Sequence, residues 1–492
     1  MKLLPLFMAA GAFAQLSLDI DIVRGESFET AKRDTQSFDR LYKRDDTVDL
    51  TLYNKEVYYS VDLQLAGQSF KVLLDTGSSD LWVYGANNPY CRANNGHSNR
   101  ERLVDASPKN LWNLGTPSVD KRDRSDARDV DPAEATIDCE SSGVFQDNGD
   151  NFKDNGKPFF IQYGDYSFAL GRWGSSRLEV SGASLVDFTF GLANLTNSSA
   201  PVFGIGYVGN EASHGQFMQQ YGGTFEYDNF PLALKNQGII QRNLYSLYLN
   251  SGNANGKILF GAIDHAKHQG DLVTLPLVNV YADYGFAKPI TVDVEIQSLG
   301  ITINGEESSI FDGTISAGLL DSGTTVNYLP LRAVQSLADK LNAEWDDTIG
   351  WYVTDCPVES TDITLDFHFQ GVAIQVPLND MLGAVDSTQV RCAVLVRPSS
   401  RVILGDTFLR HAYVVYDLDG YQVQLAPVKI TDSQQVEVIS DEYSAKKFGK
   451  RADSNSTGLS LSSSSANDAS SNALDSATRL LTSMSVFLLA LF

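Results

Sequence analysis

A chain of 492 residues is long enough for two sizeable lobes with tails, and its hydrophobic content of 43% is sufficient for a buried core. The formal net charge of −23 argues against a nucleic-acid partner, whose phosphates would be repelled, and is compatible with basic substrates or with solubility in an acidic medium. Glycine is abundant and helical periodicity is scarce, so the sequence predicts an all-β body with short strands, including 58–65, 69–74, 244–249, 257–260 and 414–416, and a helix at 332–341.

The first 14 residues have the pattern of a secretion signal. Lys2 supplies the positive end, residues 3–13 form an apolar run, and Ala12-Phe13-Ala14 is a small-x-small cleavage site. The apolar run is too short to span a bilayer. We therefore expect the chain to enter the secretory pathway, where disulfides form.

Residues 15–44 are predicted to be a pro-segment. Alternate residues from 16 to 22 are apolar, which indicates a strand that can pair with the body. The segment ends in the dibasic pair Lys43-Arg44, between the signal and the first strand of the body. This position favours proteolytic processing, and an ordinary charged loop is the alternative.

One short sequence occurs twice in the chain. Residues 73–79 read LLDTGSS and residues 319–325 read LLDSGTT, so each copy is an apolar pair, Asp, a hydroxyl residue, Gly and two hydroxyl residues. The acids of the two copies, Asp75 and Asp321, lie 246 positions apart (321 − 75). Two copies half a chain apart indicate two related lobes, each placing one carboxylate at a common centre.

A second match supports the two lobes, which are predicted at 45–235 and 236–430. Val202-Phe203-Gly204 in the first lobe and Ile403-Leu404-Gly405 in the second share the order apolar, apolar, glycine. The interval from Asp to this Gly is 129 residues in the first lobe (204 − 75) and 84 in the second (405 − 321). The difference of 45 is close to the 48 positions (139 − 91) spanned by residues 91–139, which we therefore predict to be an exposed insertion.

The four cysteines allow three connectivities, and neighbours pair most simply: Cys91 with Cys139, and Cys356 with Cys392. Secretion is compatible with both disulfides. The sequence predicts no metal site, because no two cysteines are closely spaced and His265 and His268 lie in a polar turn without a third ligand nearby. No cofactor is predicted.

The composition changes after residue 430. Residues 431–479 are charged and then rich in Ser and Thr, which predicts a stalk without a core, and residues 480–492 form a short apolar tail. Small residues, a polar spacer and a terminal apolar tail form the pattern of a glycosylphosphatidylinositol (GPI) anchor signal, with Asn467 as the attachment residue and a frayed tail as the alternative. Glycosylation is predicted at three Asn-x-Ser/Thr sites: Asn194, Asn197 and Asn455.

Two carboxyl groups held about 3 Å apart cannot both be charged, so Asp75 and Asp321 are expected to share one proton over an intermediate pH range. The ionised acid can then take a proton from water, and the protonated acid can polarise a carbonyl oxygen. The motif also supplies glycines for close backbone approach, hydroxyls for the outer carboxylate oxygens and hydroxyls that lock the two turns together. These supporting residues are Thr76, Gly77, Ser78, Ser322, Gly323 and Thr324.

The doubled motif, the Tyr-Gly segment at 163–164 and the two apolar-apolar-Gly segments resemble the pepsin-like aspartic proteases over about residues 48–430. This resemblance implies two pseudo-two-fold related β lobes with a central cleft. It implies that Tyr163 and Gly164 belong to a flap over the substrate and that the indole of Trp82 hydrogen-bonds to Tyr163. It also matches the Cys356–Cys392 disulfide and a zymogen pro-segment, in which Lys32 or Arg33 pairs with the aspartates.

Within that family, the arrangement looks most like the fungal yapsins, which are GPI-anchored cell-surface proteases that cleave after basic residues. The resemblance implies protein or peptide substrates with Lys or Arg at P1, including precursor or cell-wall proteins. It also implies cleavage of the insertion at Lys121-Arg122, which would give a two-chain form; otherwise the enzyme is expected to be a monomer. Location at the plasma membrane or cell wall would follow from the anchor.

Asp165 is a candidate specificity residue, since it lies two positions after Tyr163 and a carboxylate there would stabilise a basic P1 side chain. A turn-forming Asp165 that faces solvent is the alternative. The residues 165–168 are also bulkier than the Gly-rich flap tip usual in the family. The alternative functions are a secreted protease of broad specificity, an inactive wall-bound binding protein on the same scaffold, and a structural wall glycoprotein.

Overall fold

The structure is a computed structural model that describes residues 15–23, 58–92, 103–104, 127–128, 135–250, 256–357, 361–385 and 390–445, with the backbone alone at 103–104 and 127–128. Several predicted features lie outside these residues: the signal at 1–14, Lys43-Arg44, Lys121-Arg122, Asn455, Asn467 and the tail at 480–492. In the described part of the chain, no helix has the length and apolar character needed to cross a membrane.

Strands dominate the described residues. In the first half they are β1 Leu16–Val23, β2 Tyr58–Leu65, β3 Gln68–Asp75, β4 Trp82–Gly85, β5 Leu103–Val104, β6 Ala127–Arg128, β7 Val144–Phe145, β8 Lys153–Gln162, β9 Phe168–Val180, β10 Ala183–Thr196 and β11 Val202–Gly204. In the second half they are β12 Leu244–Tyr248, β13 Gly256–Phe260, β14 Ala262–Asp264, β15 Val273–Pro276, β16 Asp293–Ile296, β17 Ser298–Ile303, β18 Glu306–Phe311, β19 Ile315–Leu320, β20 Asn327–Leu329, β21 Glu344–Asp346, β22 Trp351–Asp355, β23 Ile363–Phe369, β24 Val372–Pro377, β25 Leu382–Ala384, β26 Arg391–Val394, β27 Val396–Pro398, β28 Val402–Leu404, β29 Ala412–Asp417, β30 Gln422–Pro427 and β31 Val436–Val438.

Helices are few and short. The α-helices are α1 Cys139–Ser142, α2 Phe230–Asn236, α3 Leu331–Lys340 and α4 Asp406–Leu409. Short 3-10 turns span Val208–Asn210, Ala212–His214, Ala282–Tyr284 and Leu378–Met381, and one π-helical turn spans Met218–Gly222. The all-β fold class is confirmed, and α3 lies within one residue of the helix predicted at 332–341.

A central sheet joins the two lobes. It follows the order β15-β30-β29-β12-β13-β1-β2-β9-β10-β4-β7, so strands from both halves of the chain share one hydrogen-bonded layer. The strand predicted at 16–22 is present as β1 and is antiparallel both to β13 of the second lobe and to β2 of the first. Its alternate residues Leu16, Leu18 and Ile20 are at most 5% exposed, which places this strand in the hydrophobic core.

Each copy of the repeated motif follows a strand that has a parallel neighbour. In the first lobe β3 pairs with β11, which places Gly204 opposite Asp75. In the second lobe β19 pairs with β28, which places Leu404 opposite Leu320. The second internal match predicted from the sequence is therefore a pair of equivalent strands that flank the two acids.

The packed body continues beyond the predicted boundary at residue 430. The start predicted for the stalk at 431–479 is therefore too early in the sequence. Strand β31 pairs antiparallel with β14, and Ile439 is 1% exposed in a cluster with Leu244 and Tyr413. The charged composition of residues 431–445 concealed this packing, because Ile439 and Ala445 are the only buried residues of the segment. Within the predicted insertion, β5 and β6 pair antiparallel, which the sequence did not predict.

Candidate active site

Asp75 and Asp321 are buried side by side where the two lobes meet, at 5% and 8% exposure. Asp75 ends β3 and Asp321 directly follows β19, so each acid comes after three consecutive buried residues of its strand. The carboxyl group of Asp321 hydrogen-bonds to that of Asp75. The two halves of the chain therefore bring the two predicted acids into direct contact.

The two carboxyl groups have equivalent hydrogen bonds. The amides of Gly77 and Gly323 each donate to the inner oxygen (Oδ1) of their own acid, at 2.8 Å in both lobes. The hydroxyl groups of Ser78 and Thr324 donate to the outer oxygens (Oδ2) of Asp75 and Asp321, at 2.5 and 2.7 Å. These donors fix the planes of the carboxyl groups, as the motif predicted.

Glycine is required at both turns because each turn touches the acid of the other lobe. A Cβ atom at Gly77 would lie 2.6 Å from Oδ1 of Asp321, and one at Gly323 would lie 2.5 Å from Oδ1 of Asp75. Side-chain carbon atoms do not approach oxygen this closely, so any other residue would push the two acids apart.

The turns are locked to each other by a reciprocal set of hydrogen bonds. The Thr76 hydroxyl donates to the carbonyl of Leu320 at 2.9 Å, and the Ser322 hydroxyl donates to the carbonyl of Leu74 at 2.9 Å. The amides of Thr76 and Ser322 each donate to the hydroxyl of the other residue, at 3.2 and 3.0 Å. Four hydrogen bonds thus hold the lobes in one register at the site.

The electrostatics favour a proton on this pair. Burial raises the pKa of Asp321 well above its usual value, and the charge of Asp75 raises it further. The hydrogen bonds from Thr324 and Gly323 oppose this shift only in part. The hydrogen bond between the two carboxyl groups requires a proton between them, which agrees with the raised pKa of Asp321.

Tyr163 lies in the turn of the β8–β9 hairpin, next to Gly164. Its hydroxyl accepts a hydrogen bond from Nε1 of Trp82 at 2.7 Å, as the resemblance implied. The turn is closed by the amide of Tyr163, which donates to the carbonyl of Ser167, and by Tyr166, which has a left-handed φ of 61°. The Tyr166 side chain is exposed at the tip.

Asp165 organises this turn. Its Oδ1 accepts hydrogen bonds from the amide of Ser167 at 2.9 Å and from the Ser167 hydroxyl at 2.6 Å. The side chain is partly exposed. The turn-forming role considered for this residue is therefore present, and any contact with substrate has to coexist with the two bonds from Ser167.

Sequence reasoning did not identify several residues that support the site. Asn210 donates to the carbonyl of Gly77 at 3.2 Å, and Tyr416 lies beside the Thr76 hydroxyl with its ring stacked on Tyr245. Asp80 is fully buried five residues after Asp75. Its position directly behind the motif was the available signal, since an acid is rarely buried without a reason.

The remaining predicted residues lie away from the acids. Both disulfides join neighbours as expected, Cys91 to Cys139 and Cys356 to Cys392. Asn194 is partly buried within β10, and the exposed Asn197 accepts a hydrogen bond from the amide of Phe168. His265 and His268 contact each other, with Nδ1 of the first 3.3 Å from Nε2 of the second, and His265 also contacts Glu437.

Comparison with known proteins is consistent with this geometry. The sequence pattern of the family described as eukaryotic aspartyl protease matches residues 58–428. The chain belongs to this family. It is an aspartic-type endopeptidase that acts on proteins or peptides.

Relatives are found among yeast enzymes. The chain is 38% identical over 450 residues to aspartic proteinase 3 of Saccharomyces cerevisiae, covering 85% of this chain and 78% of the relative. It is 37% identical to aspartic proteinase yapsin-3 of the same yeast, covering 79% and 70% of the two chains. It is 33% identical to secreted aspartic protease 9 of Candida albicans, covering 88% of each. The expected resemblance to yapsins is thereby confirmed.

Proposed function

We propose that this endopeptidase hydrolyses peptide bonds with a water molecule activated between Asp75 and Asp321. The observation that carries the proposal is the contact between the two buried carboxyl groups, each with the same amide and hydroxyl donors. Because each acid has the same kinds of donor, either carboxyl group can carry the shared proton.

The geometry supports a general acid–base reaction. The ionised carboxylate takes a proton from water, and the carboxylic acid donates a hydrogen bond to the substrate carbonyl oxygen, so attack gives a tetrahedral diol. The proton is then passed to the leaving nitrogen as the carbon–nitrogen bond breaks. The donors from Gly77, Gly323, Ser78 and Thr324 keep both carboxyl groups oriented through this cycle.

Asp75→Asn and Asp321→Asn test the proposal. Each change removes one titratable carboxyl, and we expect kcat/KM on a peptide substrate at about pH 4 to fall about 1,000-fold or more. Asp355→Asn is a matched control, because Asp355 is an exposed acid at the end of β22. Activity retained by either of the first two variants would exclude the shared-proton mechanism.

An inactive binding protein on the same scaffold is the competing proposal. It predicts no pepstatin-sensitive cleavage of casein or basic peptides between about pH 3 and 6, where a carboxyl pair can hold one proton. Both copies of the motif keep their acid, glycine and hydroxyl residues, which argues against this alternative. The other alternative, a structural wall glycoprotein, is not supported by the two well-packed lobes.

For specificity, we propose a preference for Lys or Arg at P1, with broad specificity as the alternative. Support comes from the net charge of −23 and from the acid Asp165 in the turn beside Tyr163. The physiological substrates would be precursor or cell-wall proteins that present basic residues. A cleavage profile on a peptide library is the direct measurement.

We also propose that the protein is made with a signal at 1–14 and a pro-segment at 15–44, and is anchored at the cell surface through Asn467. The patterns at the two ends of the sequence support this, together with the similarity to secreted aspartic protease 9 of Candida albicans. Release of activity from intact cells by a phosphatidylinositol-specific phospholipase would test the anchor. N-terminal sequencing of an Asp321→Asn variant would show whether another protease cuts after Arg44.

A further inference from the structure

Two acidic side chains outside the catalytic pair are buried in the first lobe. Asp80 is 0% exposed and Glu211 is 2% exposed, and among the described residues neither forms an ion pair with a basic side chain. A buried carboxylate without a cation is costly unless hydrogen bonds stabilise it or it takes up a proton. The hydrogen bonds around the two acids differ, so one can be stabilised as a charged group and the other as a protonated one.

Asp80 has the hydrogen bonds of a charged group. Its Oδ1 accepts from the Tyr227 hydroxyl at 2.6 Å and its Oδ2 accepts from the amide of Ala212 at 2.9 Å. Glu211 has weaker support, because its Oε2 accepts from Ser213 at 3.1 Å and its Oε1 has no partner in the described part of the chain. This geometry suits an ionisable Asp80 beside a protonated Glu211.

The titration of the two groups agrees with their hydrogen bonds. Burial raises the pKa of Asp80 to about 6, opposed by the bonds from Tyr227 and Ala212 and increased by the charge of Asp75. Burial, together with the charge of Asp80, raises the pKa of Glu211 to about 10. The other charged groups that face Glu211 are the acids Asp228 and Glu226. Burial also raises the pKa of Tyr227, and the neighbouring Tyr163 adds to this shift.

Asp80 is also bonded into the loop that carries Asp75. The backbone carbonyl of Asp80 accepts from the amide of Gly204 at 3.0 Å, so the residue is fixed against β11. The same loop is tied to the following segment by Ser79, which donates to the carbonyl of Tyr207 at 2.7 Å. The buried carboxylate of Asp80 is therefore held in a fixed position within electrostatic reach of Asp75.

We propose that Asp80 is a positioning residue whose ionisation behind Asp75 sets the upper pH limit of the protease. The proposal rests on the proposed function of Asp75 and Asp321 as the catalytic pair. Once Asp80 is ionised, its negative charge strengthens proton binding by that pair, so the pair retains its single proton to a higher pH. Glu211 stays neutral beside Asp80, so it adds no negative charge near the catalytic pair.

The test is the dependence of kcat/KM on pH between 3 and 8 for the wild type, Asp80→Asn and Glu211→Gln. Asparagine keeps the shape of Asp80 and can accept from Ala212 and donate to the Tyr227 oxygen. We expect the alkaline limb of the Asp80→Asn profile to move about one pH unit lower, a tenfold change in proton affinity. Glu211→Gln is the matched control and should leave the limb in place, because glutamine replaces an acid that is already neutral.

A merely structural role for Asp80 would lower kcat/KM equally at every pH, with the limb unmoved, and would overturn the proposal. A limb that moves in Glu211→Gln and not in Asp80→Asn would also overturn it, since the charge would then reside on Glu211. Tyr227→Phe is a second variant that removes a donor to Asp80. It should raise the pKa of Asp80 and move the limb in the same direction by a smaller amount.

The same assays separate this proposal from the proposed function. If Asp75→Asn remains active, the catalytic pair is wrongly assigned whatever the profile of Asp80→Asn. If Asp75→Asn is inactive and the alkaline limb of Asp80→Asn coincides with that of the wild type, only the role of Asp80 is wrong.

Discussion

At the scale of single residues, the site depends on small groups that touch across the boundary between the lobes. Gly77 lies against Asp321 and Gly323 lies against Asp75. The two acids can touch because glycine has no side chain at either position. The hydroxyls of Ser78 and Thr324 then fix the outer oxygens. The repeated motif supplied all of these residues, which is why this part of the site was predictable from the sequence.

Asp165 is the residue at which specificity can be tested. We expect Asp165→Asn to lower kcat/KM about tenfold more for peptides with Lys or Arg at P1 than for peptides with Leu or Phe, because a charge-assisted bond is lost. Ser167→Ala is the companion variant, since it removes the hydroxyl that competes for Oδ1 and should maintain or increase the basic preference. Equal losses on both kinds of peptide would remove Asp165 from the specificity role.

At the scale of elements, the most consequential difference from the sequence prediction is the segment 431–445. It adds β31 beside β14, and the guanidinium of Arg242 donates to the carbonyl of Asp441 while it pairs with Asp417. Ile439 fills an apolar cluster, and its amide donates to the carbonyl of Gly261 at 2.8 Å. The segment 431–445 is thus bonded to the second lobe.

Ile439→Asp measures the contribution of this segment. Placing a charge in an apolar cluster should lower the free energy of unfolding by about 3–5 kcal/mol. Val438→Asp is the matched control on the adjacent residue, whose side chain is 42% exposed, and should cost less than about 0.5 kcal/mol. Urea unfolding followed by fluorescence compares the two, and similar losses would mean that Ile439 does not anchor the segment.

The strands beside the motif were predictable because apolar and polar residues alternate along them, which is typical of a strand with one buried face. The periodicity of β2 and β3 is an example, and both strands lie within one residue of the predicted bounds. The sequence did not predict β31 or the buried Asp80. In both cases polar residues are buried or paired by contacts with distant parts of the chain, such as Tyr227 with Asp80, which local sequence patterns do not contain.

At the scale of the whole molecule, several buried acids make folding proton-dependent. The pKa values of Asp321, Asp80 and Glu211 are raised above their usual values, first by burial, so the folded state binds more protons than the unfolded chain above about pH 5. Burial lowers the pKa of the partly buried His268, so below about pH 6.5 the folded state binds up to one proton fewer at this residue. This loss offsets part of the gain at the three acids. Stability should therefore fall as the pH rises.

We expect the free energy of unfolding to be lower at pH 7.5 than at pH 5 by about 3.5 kcal/mol for each net proton that the folded state retains over this range, since each additional bound proton contributes about 1.4 kcal/mol per pH unit. Glu211→Gln should reduce this slope, because glutamine needs no proton to remain neutral in the core. Chemical denaturation at several pH values gives both slopes. Stability that is constant or rises over this range would contradict the assignment of protonated buried acids.

The reciprocal bonds between Thr76 and Ser322 limit how a substrate can enter. A hinge that spread the halves of the enzyme would have to break four hydrogen bonds and pull apart the carboxyl groups at the same moment. We therefore expect a polypeptide to be admitted by movement of the hairpin turn at 163–167 rather than by separation of the lobes. The two aspartates would then keep their spacing while the turn moves.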